Sequence, residues 1–247
     1  MLRPVAGTAR PAEGASVAER RVCSVLFCDL VGFTPLSEDR DPEDVRELLS
    51  RYFDVAKTVI GRYGGVVEKF IGDAVMAVWG APVAAEGDAE RAVRAGLELV
   101  QGVGELGRTA GVAGLSARAG VVTGEVAVGS GPGEGLAGDT VNTAARVQSV
   151  ADPGAVLVDE ATWRLSRSAV VCSPAGEHLL KGKAAPLALW RAQHVVSGVG
   201  GAQRVDGLEA PLVGRDSELR LIKEVFHACA DRRSPRLLSI TGPAGVG

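Results

Sequence analysis

The segment Val25-Leu26-Phe27-Cys28-Asp29-Leu30-Val31-Gly32-Phe33-Thr34, followed downstream by Glu68-Lys69-Phe70-Ile71-Gly72-Asp73, decides how this chain reads, because each stretch ends an apolar run in a carboxylate. The β-branched and apolar run over residues 22–30 is too short for a helix, so it predicts a buried strand leading into a loop at residues 31–34. Residues 66–70 and 74–79 predict two strands joined by Ile71-Gly72-Asp73, a hairpin whose tip carries the second carboxylate. An aspartate in either place can hold a cation. Residues Leu30, Gly32, Phe33 and Thr34 then offer backbone N–H groups beside Asp29, which suits a polyphosphate arriving with its own divalent ions.

Working outward, Asp41-Pro42 opens a helix: proline at a first helical position, Glu43 and Asp44 in the first turn, and apolar residues from Val45 to Ile60 at helical spacing. Gly64-Gly65 ends it. Residues 88–106 predict a second helix with Ala92, Val93, Leu97, Val100 and Val103 as its buried stripe. Residues 115–122 and 125–128 are expected to form another hairpin, followed by a flexible glycine-rich loop at 129–135. The cluster Gly138-Asp139-Thr140-Val141-Asn142-Thr143-Ala144-Ala145-Arg146 then sets Asn142 and Arg146 four residues apart, on one helix face. A strand at 156–158, a short helix at 160–166 and strands at 170–181 and 187–195 complete the pattern. Strands alternating with helices argue an α/β sandwich built on one sheet, with Trp79, Trp163 and Trp190 as core residues.

The three quoted stretches, in this order over about 120 residues, resemble the class III nucleotidyl cyclases, which make cyclic AMP or cyclic GMP from the nucleoside triphosphate. The resemblance implies a ferredoxin-like βαββαβ core with added strands, a single mixed sheet with helices (α+β), working as a homodimer. It implies that Asp29 and Asp73 bridge two Mg2+ or Mn2+ ions, with the backbone carbonyl of Leu30 as a further oxygen ligand. By the same resemblance Arg146 is the transition-state arginine, Asn142 orients the ribose, and Lys181 neutralises the β- and γ-phosphates. Lys69 reads the adenine ring, which favours ATP over GTP. The metal carboxylates would come from one subunit, and Lys69, Asn142, Arg146 and Lys181 from the other.

One position departs from the family pattern. The second base-reading residue should lie seven residues before Asn142, and that position is Gly135, which has no side chain; the adjacent Glu134 is the carboxylate that a register shift would bring in. Two further readings follow: a weak or inactive nucleotide-binding module that regulates an attached ATPase, supported by Gly135, and a guanylyl cyclase, disfavoured by Lys69.

Composition narrows the function classes. The chain has 247 residues, 46% of them hydrophobic, enough for one large or two ordinary domains. Its 27 basic and 30 acidic residues give a net charge of −3 with no long run of either sign, so nucleic-acid binding is not expected. Cys23, Cys28, Cys172 and Cys229 form no CxxC pair and the three histidines are scattered, which argues against a zinc site or a disulfide framework. With no signal peptide and no long apolar run, the expectation is a cytoplasmic protein without membrane contact.

The expected organisation is a disordered leader at 1–19, a cyclase domain at 20–195, a glycine-rich linker at 196–210 and, from 211 to 247, a different style of sequence. There, a helix ending near Arg233 and a strand at 236–241 run into Gly242-Pro243-Ala244-Gly245-Val246-Gly247. That is the front of a P-loop without its lysine. It resembles the start of the ATPase modules that follow cyclase domains in large bacterial regulators. The expectation is a longer protein, and no ATP hydrolysis by this stretch through that motif.

Overall fold

A computed structural model describes residues 19–38, 40–129, 135–196 and 215–239, without the side chains of Thr34, Asp216, Ala230 and Asp231. Residues 1–18 of the expected leader, Glu134 with the rest of the loop at 130–134, most of the linker and the glycines of the expected P-loop fall outside the described residues, whereas Glu19, the last residue of that leader, already belongs to a strand. The chain divides into two units, residues 1–203 and 204–247.

In the first unit, β1 (Glu19–Val31) is followed by a short helix α1 (Phe33–Glu38), then α2 (Pro42–Arg62), the hairpin β2 (Val66–Ile71) and β3 (Ala74–Trp79), α3 (Asp88–Thr109) and β4 (Ser116–Val128). The two-residue β5 (Leu136–Ala137), α4 (Asp139–Ser149), β6 (Val156–Asp159), α5 (Glu160–Ser166), β7 (Val170–His178) and β8 (Leu187–Val195) complete it. The strands form one sheet in the order β2-β3-β1-β4-β6-β8-β7, with β5 alongside β4. Within β2-β3-β1-β4 every neighbour is antiparallel, which is the split βαβ arrangement of a ferredoxin-like core. The β4–β6 pair is parallel, so the sheet is mixed, as expected.

The period-two alternation of the central strands builds two cores. Leu26, Cys28 and Leu30 of β1, with Ala117, Ala119 and Val121 of β4, face Tyr52, Ala56 and Ile60 of α2 and Val93, Leu99 and Val103 of α3. Val25 and Phe27, with Val122 and Val126, face Ala144 and Val147 of α4 on the other side. Trp79 is buried and donates its indole N–H to the carbonyl of Tyr63, whereas Trp163 and Trp190 are half-buried and stack with centroids 4.8 Å apart. The start of α2 is as read: Asp41 caps it, its side chain accepting from the Glu43 N–H at 2.8 Å, with Pro42 next.

Four local expectations are corrected. Residues 115–128 are not a hairpin; β4 runs unbroken from Ser116 to Val128, and all thirteen of its residues pair with β1 from Glu19 to Val31. The strand β1 therefore starts earlier than expected, held by that ladder. Residues 31–34 are not a plain loop, since Gly32 makes the turn (φ +67°) and Phe33 already opens α1. The strand expected at 170–181 ends at His178, and Leu180 is buried in the α4-side core.

Among its described residues the second unit has one helix, α6 (Asp216–Arg232). Residues 236–239 are in neither helix nor strand, which corrects the described part of the strand expected there. An extended segment needs a neighbour to complete its ladder, and the described residues of this unit contain no strand to supply one.

Candidate active site

Asp29 and Asp73 converge. The register Cys28↔Val75 sets the end of β1 beside the start of β3, and Asp73 sits just before β3 at the hairpin tip. Gly72 allows that tip by taking a left-handed conformation (φ +62°). Partial burial and the Asp29 carboxylate within hydrogen-bonding range push the Asp73 carboxyl above its ordinary range, while Arg118 pulls the other way. Beneath the pair, the fully buried Tyr52 donates its O–H to the carbonyl of Cys28 at 3.3 Å and fixes the backbone next to Asp29.

Two neighbours of Asp29 were not expected from the sequence. Arg118 is its cross-strand partner on β4, with a guanidinium nitrogen 3.6 Å from the carboxylate. Gln148, near the end of α4, donates from Nε2 to the same oxygen at 3.3 Å. Neither had a local signal, because both depend on the long β1–β4 register and on where α4 lies over it.

The pair suits a hard divalent cation. It gathers carboxylate oxygens whose mutual repulsion a cation would relieve, with no sulfur or imidazole ligand, which fits magnesium or manganese rather than zinc. Among the described residues no group of three or more His, Cys, Asp or Glu comes together. Further ligands would then be main-chain oxygen such as that of Leu30, water, or phosphate oxygens of a bound nucleotide, the usual way magnesium is held. Gly32 is exposed beside this corner, Phe33 packs against the core, and the side chain of Thr34 lies outside the described residues.

The other predicted residues form two more groups. Lys69 is exposed on β2, and its Nζ lies 3.9 Å from the point where a Cβ on Gly135 would stand. Arg146 on α4 is half-buried against Gly182, its Nη2 3.4 Å from that glycine's Cβ position. Lys181 is exposed and makes no hydrogen bond or ion pair among the described residues, whereas Lys183 bonds Asp139 in the first turn of α4 and holds that carboxyl below its ordinary range. Asn142 is exposed one turn before Arg146. Among the described residues no hydrogen bond or ion pair joins Asp29 or Asp73 to Lys69, Asn142, Arg146 or Lys181. A groove of about 590 Å³ between α2 and α3, lined by Arg51, Val55, Glu98 and Leu106 among others, includes none of the predicted site residues.

The sequence pattern of the family described as the adenylate and guanylate cyclase catalytic domain matches residues 16–193, well over half of the chain. The chain belongs to that family. This cyclase domain is 35% identical over 196 residues to adenylate cyclase 1 of Rhizobium meliloti (strain 1021), covering 75% of this chain and 30% of that protein. Among solved structures, it resembles the adenylyl cyclase CyaB from P. aeruginosa (TM-score 0.68, 30% identity, 72% of this chain and 96% of that one). It resembles the guanylyl cyclase Cya2 equally well (TM-score 0.69, 30% identity, 76% of this chain and 99% of that one). Equal identity to an adenylyl and a guanylyl cyclase leaves the choice of base to individual side chains. The chain spans less than a third of the length of the curated relatives it matches first. Among the described residues no helix is long and apolar enough to cross a membrane.

Proposed function

We propose that this cyclase domain converts ATP to 3′,5′-cyclic AMP and pyrophosphate in a site shared by two copies of the chain. The observation that carries the reading is the convergence of Asp29 and Asp73 at the ends of adjacent strands. Two divalent cations held there would activate the ribose 3′-oxygen and offset charge on the departing pyrophosphate. The 3′-oxygen forms its bond to the α-phosphorus as the bond from that phosphorus to the bridging oxygen of pyrophosphate breaks, and the 3′-hydroxyl proton passes to solvent.

The remaining residues act by position and charge. Arg146, a planar cation braced against Gly182, meets the negative charge that grows on the α-phosphate oxygens. Asn142, one helical turn away, hydrogen-bonds the ribose and keeps its 3′-oxygen in line. Lys181, exposed and unpaired among the described residues, reaches the β- and γ-phosphates. Lys69 donates to N1 of adenine, an acceptor; the N1 of guanine carries a proton, so the same ammonium opposes GTP.

The carboxylate pair makes no hydrogen bond or ion pair with Lys69, Asn142, Arg146 or Lys181 among the described residues, which is compatible with a site divided between two chains. A two-fold homodimer supplies two equivalent sites, since every residue type needed is present on each chain. The setting is a cytoplasmic signalling protein in which an ATPase module follows the cyclase domain, a reading supported by the glycine pattern at 242–247 and by the greater length of its relatives. The test is incubation with ATP or GTP and manganese. Cyclic AMP from the wild-type chain, lost in Asp73→Ala and Arg146→Ala, supports the reading; cyclic GMP alone, or no cyclic product, contradicts it.

A further inference from the structure

We propose that Glu68 is the second base-reading residue of this chain, its carboxylate accepting a hydrogen bond from the 6-amino group of adenine in place of the side chain that Gly135 lacks. The proposal rests on the nucleotide-cyclase reading above and names how that site selects its base.

Three observations meet at this point. A Cβ built on Gly135 would stand 2.9 Å from Oε1 of Glu68 and 3.9 Å from Nζ of Lys69, so the Glu68 carboxylate already fills the space where a side chain at 135 would project. The β2–β3 ladder skips Glu68: Val67 pairs with Ala77 and Lys69 with Met76, which makes Glu68 the unpaired residue of a β-bulge. In a regular strand Glu68 and Lys69 would point to opposite faces; the extra residue re-aims them, and both approach the same glycine. Finally, Glu68 Oε1 accepts the backbone N–H of Leu136 at 3.3 Å, which anchors the side chain. A carboxylate has about four acceptor positions, so this bond leaves capacity for a second donor.

The resulting donor and acceptor match the edge of one purine. Adenine presents an acceptor at N1 and a donor at the 6-amino group, to meet the Lys69 ammonium and the Glu68 carboxylate. Guanine in the same pose would set its N1–H against the ammonium and its 6-oxygen against the carboxylate, two repulsive contacts in place of two hydrogen bonds. A glycine at 135 leaves the Glu68 carboxylate its place, whereas a Cβ there would make that carboxylate swing aside.

The experiment compares binding of 3′-deoxy-ATP, which cannot cyclise, with the corresponding purine triphosphate lacking the 6-amino group, using the full chain in manganese. The wild-type chain is expected to prefer the 6-amino nucleotide by about tenfold or more, the size of one hydrogen bond to a charged group. Glu68→Ala should bring the ratio close to one. Glu68→Gln, which keeps an acceptor oxygen, should retain most of the preference, and Glu68→Ala combined with Gly135→Asp should restore it. If Glu68 only latches Leu136, Glu68→Ala weakens both nucleotides equally and leaves the ratio intact, which overturns the proposal. Tighter binding of guanine nucleotide by the wild-type chain than by Glu68→Ala also overturns it, since a carboxylate facing the 6-oxygen of guanine should repel it. Because the ratio is read without turnover, a chain that shows it but forms no cyclic product from ATP fails the enzymatic reading alone.

Discussion

The carboxyl of Asp73 lies within hydrogen-bonding range of Asp29, so the fold holds two like charges together at the ends of neighbouring strands. Such a pair costs stability when both groups are ionised, and the cost is recovered when a cation binds. Asp73→Asn should therefore stabilise the metal-free protein by about 0.5 kcal/mol, a small figure because solvent screens a partly exposed pair. The same substitution should abolish cyclic AMP formation. Thermal unfolding and a turnover assay on one preparation check both halves.

The raised carboxyl of Asp73 gives the pair a pH signature. The native state retains a proton that the unfolded state has released, so this contribution to stability is complete below the ordinary carboxylate range and is lost as pH rises through the native value. Manganese acts in the opposite direction, since it binds the ionised pair. The rise in Tm on adding manganese should be large at pH 7.5, shrink as pH falls through the Asp73 transition, and be small at any pH in Asp73→Asn; melting curves across pH test this.

The proposed division of the site between two chains predicts complementation. Asp73→Ala and Arg146→Ala should each be inactive alone, yet mixed in equal amounts after subunit exchange they should recover about a quarter of wild-type turnover, because half the dimers are mixed and each mixed dimer has one intact site. Turnover that stays at background after exchange would place both residues in a site within one chain.

The placement of α4 depends on Gly120. A Cβ there would stand 2.4 Å from the backbone nitrogen of Gln148 and 2.8 Å from the carbonyl oxygen of Ala144, both on α4 backbone. Gly120→Ala should cost about 2 kcal/mol by overpacking and shift the helix that carries Asn142, Arg146 and Gln148. Denaturant unfolding should show the loss, and kcat should fall although no site residue is changed.

Cys28 provides a check on the core under the site. It is completely buried, and that burial pushes its thiol up to about 12. It should be inert to thiol reagents at pH 8 in the native protein and react once the chain is unfolded, as read by a timed colorimetric assay.

Much of this arrangement was legible in the sequence because local pattern and tertiary placement agree. The run into Asp29, the tip at Asp73, the Asp41-Pro42 start of α2 and the spacing of Asn142 and Arg146 each lie within one element. The errors arose where one residue answers to a distant element. By local pattern Thr123-Gly124 reads as a turn between two strands, but a Cβ on Gly124 would stand 2.7 Å from the hydroxyl of Thr140 on α4. That glycine makes room for a helix and β4 passes through it unbroken. Arg118 and Gln148 meet Asp29 only through the register of β4 and the seat of α4. Glu68 was hidden because strand alternation assigns it the face opposite Lys69, and a bulge leaves no reliable mark in composition.

The central claim is that Asp29 and Asp73 hold divalent cations beside a bound triphosphate, and the most direct measurement is manganese binding followed by the loss of the free-ion magnetic resonance signal, with 3′-deoxy-ATP present. The account predicts that the wild-type chain takes up manganese beyond what the nucleotide alone binds, and that Asp29→Asn and Asp73→Asn do not. Equal uptake by the wild-type chain and both variants would contradict it.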